Sequence, residues 1–372
     1  MRKLISMREA LSDPDVLGNA MIGPSWLGWR ALLIASMGEP LNDAERQAFQ
    51  KLTGRDREPL EIVEELIAVV GRRGGKTLAG AVLLVYLGCL VDWSGVLNIG
   101  ERGVALFIAQ NQKQAGVAFN YAAGIITASP MLNGMVVNKT AETIELNNSV
   151  MLEVRPASFR GLRGVTAVAI LADECAFWYS EGANTDAEIL GAVRPSLATT
   201  GGLLAIFSSP YAAKGELHTL YSENFGAGGD PKLLVAQGAS RDLNPLLSKR
   251  VVERALSRDP VGASAEYLAK FRQDVTGFIS RELLQGAVDQ GVTSRPPSPL
   301  HQYFCFADAA SGIAASGDGD RFACAVGHLD DAGVVVIDHA QIWHPPFDAS
   351  AITKEVAEIA KRYNCEVVSD GE

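Results

Sequence analysis

Val69-Val70-Gly71-Arg72-Arg73-Gly74-Gly75-Lys76-Thr77 is the stretch that decides the fold. An apolar strand, Leu66 to Val70, runs into a Gly-rich turn, and an apolar helix starts near Lys76. Strand, glycine turn and helix in that order turn backbone N–H groups and a helix N-terminus toward an anion, which is how a phosphate-binding loop is built. The usual pattern G-x-x-x-x-G-K-[ST] wants glycine where Val70 stands, and here the loop is one residue shorter, Gly71-x-x-x-Gly75-Lys76-Thr77. Lys76 is expected to reach the β/γ-phosphates of a nucleotide, and the Thr77 hydroxyl to hold Mg²⁺. Gly71, Gly74 and Gly75 shape the turn, and Arg72 and Arg73 are placed to touch phosphate.

Two further strands end in polar residues. Val168-Ala169-Ile170-Leu171-Ala172 leads into Asp173-Glu174. On a buried strand Asp173 emerges at the edge where open α/β sheets bind ligands. An Asp there binds the nucleotide's Mg²⁺, and the adjacent Glu174 can act as general base on the attacking water. Leu203–Phe207 runs into Ser208-Ser209-Pro210, whose hydroxyls can bond to a γ-phosphate or to the water beside it; a plain polar turn explains the same residues. Arg155, Arg160 and Arg163 precede the acidic strand, suited to a γ-phosphate in cis, to a neighbouring subunit's site or to DNA phosphates.

Bulk composition fits a globular protein: 372 residues, 48% apolar and 20% charged. Lys and Arg number 33 against 43 Asp and Glu, a net charge of −10, which argues against a broad electrostatic footprint on nucleic acid but not against a local basic channel. The five cysteines (Cys89, Cys175, Cys305, Cys324, Cys365) are scattered and form no C-x-x-C pair, the pattern of reduced cytoplasmic thiols. The longest apolar run, roughly Leu78 to Val91, is too short to cross a bilayer, and the N-terminus lacks a signal-peptide core. A cytoplasmic protein without a membrane partner is expected.

Along the chain, residues 1–65 read as a helical lead-in, with amphipathic pieces at Trp26–Ser36 and Asn42–Leu52. Residues 66–240 alternate strands and helices: Val104–Ala109, a helix Lys113–Ile126, a hairpin turning at Asn147-Asn148-Ser149, and the apolar runs Val165–Ala172 and Leu203–Phe207. Continuous apolar strands separated by helices predict a mostly parallel sheet covered on both faces, an α/β fold. Residues 241–300 read as a helical and Pro-rich linker. A second strand series, Tyr303–Ala307, Ala323–His328, Val334–His339 and Glu366–Ser369, with a helix at Asp348–Tyr363, makes a smaller domain over 301–372, which reads as incomplete at its C-terminal end. Asp308, Asp318 or Asp320 (the latter favoured), and Asp370 sit at strand ends or turns there, and such acids can converge to hold two Mg²⁺ or Mn²⁺ ions for phosphodiester cleavage.

Gly-Arg-Arg-Gly-Gly-Lys-Thr, Ile-Leu-Ala-Asp-Glu, Ser-Ser-Pro and Asp308 after the linker together resemble the large terminase subunit of tailed bacteriophages. That resemblance implies an additional-strand P-loop ATPase followed by an RNase H-like nuclease, here truncated. It implies that Lys76, Thr77 and Asp173 bind ATP and Mg²⁺, that Glu174 is the catalytic base, and that Ser208-Ser209-Pro210 is the coupling motif. Arg163 is placed like the arginine finger donated to a neighbour, with Arg73 as runner-up. Asp308 and Asp370 match nuclease acids, with Asp320 a further metal ligand. The implied partners are double-stranded DNA, the portal protein, the small terminase subunit and further copies of the chain in a ring, all in the host cytoplasm. A helicase or translocase without nuclease shares the loop, the Asp-Glu strand and the Ser motif. A nucleotide-gated adaptor that binds without hydrolysis has no need of Glu174.

Overall fold

The computed structural model describes residues 2–157, 164–178, 186–272, 286–289, 291–310 and 321–368. The chain divides into two compact units, Met1–Phe278 and Ile279–Glu372. The first contains β1 (Arg2–Lys3), β2 (Glu65–Val70), β3 (Val91–Asp92), β4 (Gly103–Ala109), β5 (Val136–Lys139), β6 (Thr143–Leu146), β7 (Val150–Pro156), β8 (Ala167–Asp173), β9 (Leu203–Ser208) and β10 (Leu233–Gly238).

Eight of these strands form one sheet in the order β10-β2-β9-β8-β4-β7-β6-β5. The first six are parallel, and β6 and β5 add an antiparallel edge. The apolar runs explain the parallel part, because β4, β8 and β9 are buried along their whole length and need cover on both faces. In β2, Leu66, Ala68 and Val70 enter one core while Ile67 and Val69 enter the other, the two-residue alternation of a strand. Helices Lys76–Cys89 and Gln112–Ala128 cover the first face; Asp186–Leu197 and Glu216–Asn224 cover the second. In this sheet β9 stands between β2, which leads into the glycine loop, and the acidic strand β8. Its parallel strands bring the ends of β2, β9 and β8 to one edge, where the glycine loop, Ser208-Ser209 and Asp173-Glu174 follow as neighbours.

Two segments differ from expectation. The helix Leu27–Ser36 buries Gly28, Trp29 and Ala31 through Ser36, and so is a core helix, not an amphipathic one. Its residues join the same apolar core as β2 and the helix Lys76–Cys89, so both sides of the helix are in contact with protein. The region after residue 241, expected as a linker, belongs in large part to the first unit: helices Lys249–Arg258 and Pro260–Leu268 lie within it, and Glu266 is bonded to the glycine loop.

The second unit carries β11 (Tyr303–Asp308), β12 (Phe322–Leu329), β13 (Val335–Trp343) and β14 (Glu366–Val368) in the order β13-β12-β11-β14. β13, β12 and β11 are successively antiparallel, and β14 is parallel to β11. Ile352, Val356 and Ile359 of the helix Ala349–Arg362 pack on Tyr303, Cys305, Phe322, Cys324 and Val326, which lie on one face of this sheet by strand alternation. Residues near Arg295 are not free: its N–H donates to the Asp338 carbonyl at 2.8 Å and its carbonyl accepts from the Tyr363 hydroxyl at 2.6 Å.

Candidate active site

The glycine loop is held by the protein at several points, among them the Gly71 N–H donating to the Gly238 carbonyl at 3.1 Å. The Trp29 indole N–H donates to the Gly74 carbonyl at 2.6 Å. Ser240 Oγ donates to the Arg72 carbonyl at 2.6 Å, and Asn244 Nδ2 to the Arg73 carbonyl at 2.8 Å. The Arg72 N–H donates to the Glu266 carbonyl at 2.5 Å. Gly75 has φ +87°, in the left-handed region, and a Cβ there would come within 2.9 Å of the Trp26 ring, so two constraints require glycine. Arg73 also lies at positive φ, 64°, a conformation that costs a non-glycine residue and that clusters at ligand sites.

Lys76 opens the helix Lys76–Cys89 and is buried at 5% exposure. Its ammonium donates to the Val70 carbonyl and to Ser209 Oγ, both at 2.9 Å, and is paired with Glu174 Oε1 at 3.2 Å. A buried charge requires such partners. Thr77 follows at the helix start, its hydroxyl 3.5 Å from Asp173 Oδ2.

Asp173 and Glu174 turn to different neighbours because Glu174 adopts φ +54°. That left-handed turn is locked by the Glu174 N–H bonding to the Phe207 carbonyl at 2.8 Å. Glu174 Oε2 accepts the Ser209 N–H at 2.7 Å. Asp173 is 7% exposed, and its Oδ1 is buried with no hydrogen-bond partner among the described residues. Burial above all, reinforced by the Glu174 charge, raises the Asp173 carboxyl from 3.8 to about 7, against the pull of Lys76. A buried carboxylate oxygen without a partner, beside a hydroxyl at a helix N-terminus, is a donor set that suits Mg²⁺.

A cavity of about 740 Å³ opens over the loop, lined by Arg72 through Leu78 together with Trp26, Gln110, Gln114, Val117, Tyr121, Glu174 and Phe177. Of the residues expected from sequence to touch nucleotide, Arg72, Arg73, Gly74, Gly75, Lys76, Thr77 and Glu174 line it. Gly71, Asp173, Ser208 and Ser209 are buried and do not line it. Gly71 is packed on Ser240, and the two serines reach the cavity through Glu174 and Lys76. Arg155 pairs with Glu153 on its own strand, its Nε 2.8 Å from Oε1. Asp308 is exposed at the end of β11. Arg160, Arg163, Asp318, Asp320 and Asp370 lie outside the described residues. Among the described residues no group of three or more His, Cys, Asp or Glu side chains is arranged to hold a metal ion.

Sequence inspection passed over Trp26, Trp29, Gln114, Tyr121 and Phe177. Trp26 and Trp29 stand three residues apart just after Gly23-Pro24, at the entry to a helix. That spacing was the available signal, and it does not by itself point to a loop about fifty residues downstream.

No family model matches this sequence, and no curated protein does. Among solved structures, the chain is similar to the large terminase of bacteriophage HK97, at 16% identity and a TM-score of 0.47, over 83% of this chain and 66% of that one. It is also similar to the ATPase domain of the large terminase of Thermus phage P74-26, at 18% identity and a TM-score of 0.45, over 63% of this chain and 96% of that one. The chain thus spans slightly less than two thirds of the HK97 protein.

Proposed function

We propose that this chain is an ATP-hydrolysing motor of the large-terminase type, one that drives double-stranded DNA into a viral prohead and cuts it. The observation that carries the ATPase reading is the convergence of Lys76, Thr77, Asp173 and Glu174 after β2 and β8, with Asp173 buried behind the cavity and Ser209, just after the intervening β9, bonded to both Lys76 and Glu174. Lys76 passes its charge from Glu174 to the β/γ-phosphates when ATP enters. Glu174, released from Lys76 but still held by the Ser209 N–H, accepts a proton from the attacking water. Thr77 and Asp173 would hold Mg²⁺, which when bound neutralises charge on the phosphate oxygens. Arg163, or else Arg73, supplies a guanidinium to a neighbouring copy's site.

The packaging role rests on the likeness of the loop, the Asp-Glu strand and Ser-Ser-Pro to the terminase motifs. It brings with it double-stranded DNA, the portal protein, the small terminase subunit, a ring of copies on the portal and a place in the host cytoplasm. No helix among the described residues is long and apolar enough to cross a membrane. Cutting is assigned to Asp308, Asp320 and Asp370 with Mg²⁺ or Mn²⁺ in the second unit.

Two measurements test these assignments. Lys76→Ala is expected to abolish both ATP binding and turnover, read by calorimetry and phosphate release; unaltered affinity removes the phosphate-loop assignment. Mn²⁺-dependent nicking of supercoiled plasmid is expected to be lost in Asp308→Ala and kept in Lys76→Ala. A protein that hydrolyses ATP but never nicks DNA is a translocase without nuclease.

A further inference from the structure

We propose that the indole of Trp26 is the stacking wall for the nucleobase of the bound nucleoside triphosphate, an assignment that rests on the glycine loop being an ATP site. Trp26 lines the loop cavity and lies against Gly75, where an added Cβ would meet its ring at 2.9 and 3.1 Å. Its neighbour Trp29 is fully buried with its N–H bonded to Gly74, whereas Trp26 is only partly buried, and its indole N–H has no hydrogen bond among the described residues. The ring is therefore in position without being used by the fold as Trp29 is.

The position of the hydrolytic groups sets which end of the nucleotide meets it. The groups for hydrolysis, Glu174 and Ser209, follow β8 and β9, on one side of β2. The helix that Trp26 leads into straddles β2, with Gly28 facing Leu243 just after β10 and the Trp29 ring 5.2 Å from that of Phe207 on β9. A triphosphate whose reacting end lies at Glu174 and whose chain is cradled by Arg72–Thr77 leaves its nucleoside at the other end of the cavity, against the Trp26 ring that borders Gly75. The other aromatics of the cavity are otherwise placed. Phe177 packs on Tyr211 with ring centroids 5.5 Å apart, and Tyr121 stands on the helix after β4, on the hydrolytic side. Trp26 itself is fixed by its approach, Gly23 at φ +91° followed by the Pro24–Trp26 turn, and by the buried helix that follows. A pre-positioned aromatic face binds a base by stacking at little ordering cost.

The test is calorimetric titration of Mg²⁺-ATP and of Mg²⁺-tripolyphosphate, which lacks base and ribose, into the wild-type chain, Trp26→Ala, Trp26→Phe and Lys76→Ala. Trp26→Ala is expected to weaken ATP about tenfold, in line with base–aromatic stacking, and to leave tripolyphosphate unchanged. Trp26→Phe keeps most of the ATP affinity. Tripolyphosphate binding also reports that the loop of the alanine variant is intact. Equal weakening of both ligands means that Trp26 only props Gly75, and it overturns the proposal, as does unchanged ATP affinity. The ATP-site reading fails separately: there Lys76→Ala changes neither ligand, or the wild-type chain binds neither.

Discussion

Glu174→Gln is expected to lower ATP turnover about a thousandfold, the scale of a lost general base, while ATP still binds. The substitution keeps the side chain's length, so the amide oxygen can accept the Ser209 N–H that Glu174 Oε2 accepts at 2.7 Å. It also keeps the locked turn at φ +54°, which depends on the backbone bond to Phe207. What it removes is the negative charge, and with it the ability to take a proton from water. The same change releases Lys76, whose ammonium is 3.2 Å from Glu174 Oε1, so ATP should bind as well as before or more tightly. Phosphate release under single-turnover conditions, beside an ATP titration of the same preparation, separates the two effects. Turnover within a few-fold of wild type would show that another group activates the water.

Asp173→Asn is expected to stabilise the nucleotide-free protein and to destroy its activity. A carboxyl raised from 3.8 to about 7 by burial prefers its protonated form in the folded state, while the unfolded chain ionises near the ordinary value. The folded state therefore binds more protons across that window, and stability falls as pH rises from about 4 to about 7. With each tenfold in a protonation equilibrium near 1.4 kcal/mol, holding the ionised form above that window costs up to about 4 kcal/mol. Asparagine carries no such charge, so its melting temperature should exceed wild type by several degrees near pH 8 and match it near pH 4, which scanning calorimetry can follow. Equal pH slopes for the two proteins would contradict the burial argument. Turnover should disappear in the variant, because the ionised oxygen suited to Mg²⁺ is gone. A residue that weakens the fold where it stands is retained for what it binds.

Much of the first unit was legible because its strands are continuous apolar runs and its helices start and stop on visible signals. Val104–Ala109 and Leu203–Phe207 needed no long-range information to be placed, and the glycine loop named its own neighbours. The insertion of β9 between β2 and β8 followed only through the resemblance, since strand order depends on pairings that no local pattern encodes. The helix Leu27–Ser36 looked amphipathic because periodicity sees one helix alone and not the protein packed around it. The site was legible as a set of residue types but not as a circuit. The bond from Lys76 to Ser209 spans 133 residues, and the left-handed turn at Glu174 that separates two adjacent acids leaves no trace in composition. Trp26 escaped for a similar reason: a pair of aromatics far upstream reads as core until a cavity is seen beside it.

The anchors on the glycine turn, Trp29, Ser240, Asn244 and Glu266 among them, also bear on how quickly a ligand can be captured. A loose glycine loop must be ordered at the moment of encounter, and many collisions fail while it searches. Here the search is completed during folding, by residues drawn from both before and after the loop in the chain. Under the proposed function, arrival of a triphosphate would require exchange of one partner on Lys76, not assembly of a cradle, so capture would be a matter of diffusion and of how readily Glu174 lets go.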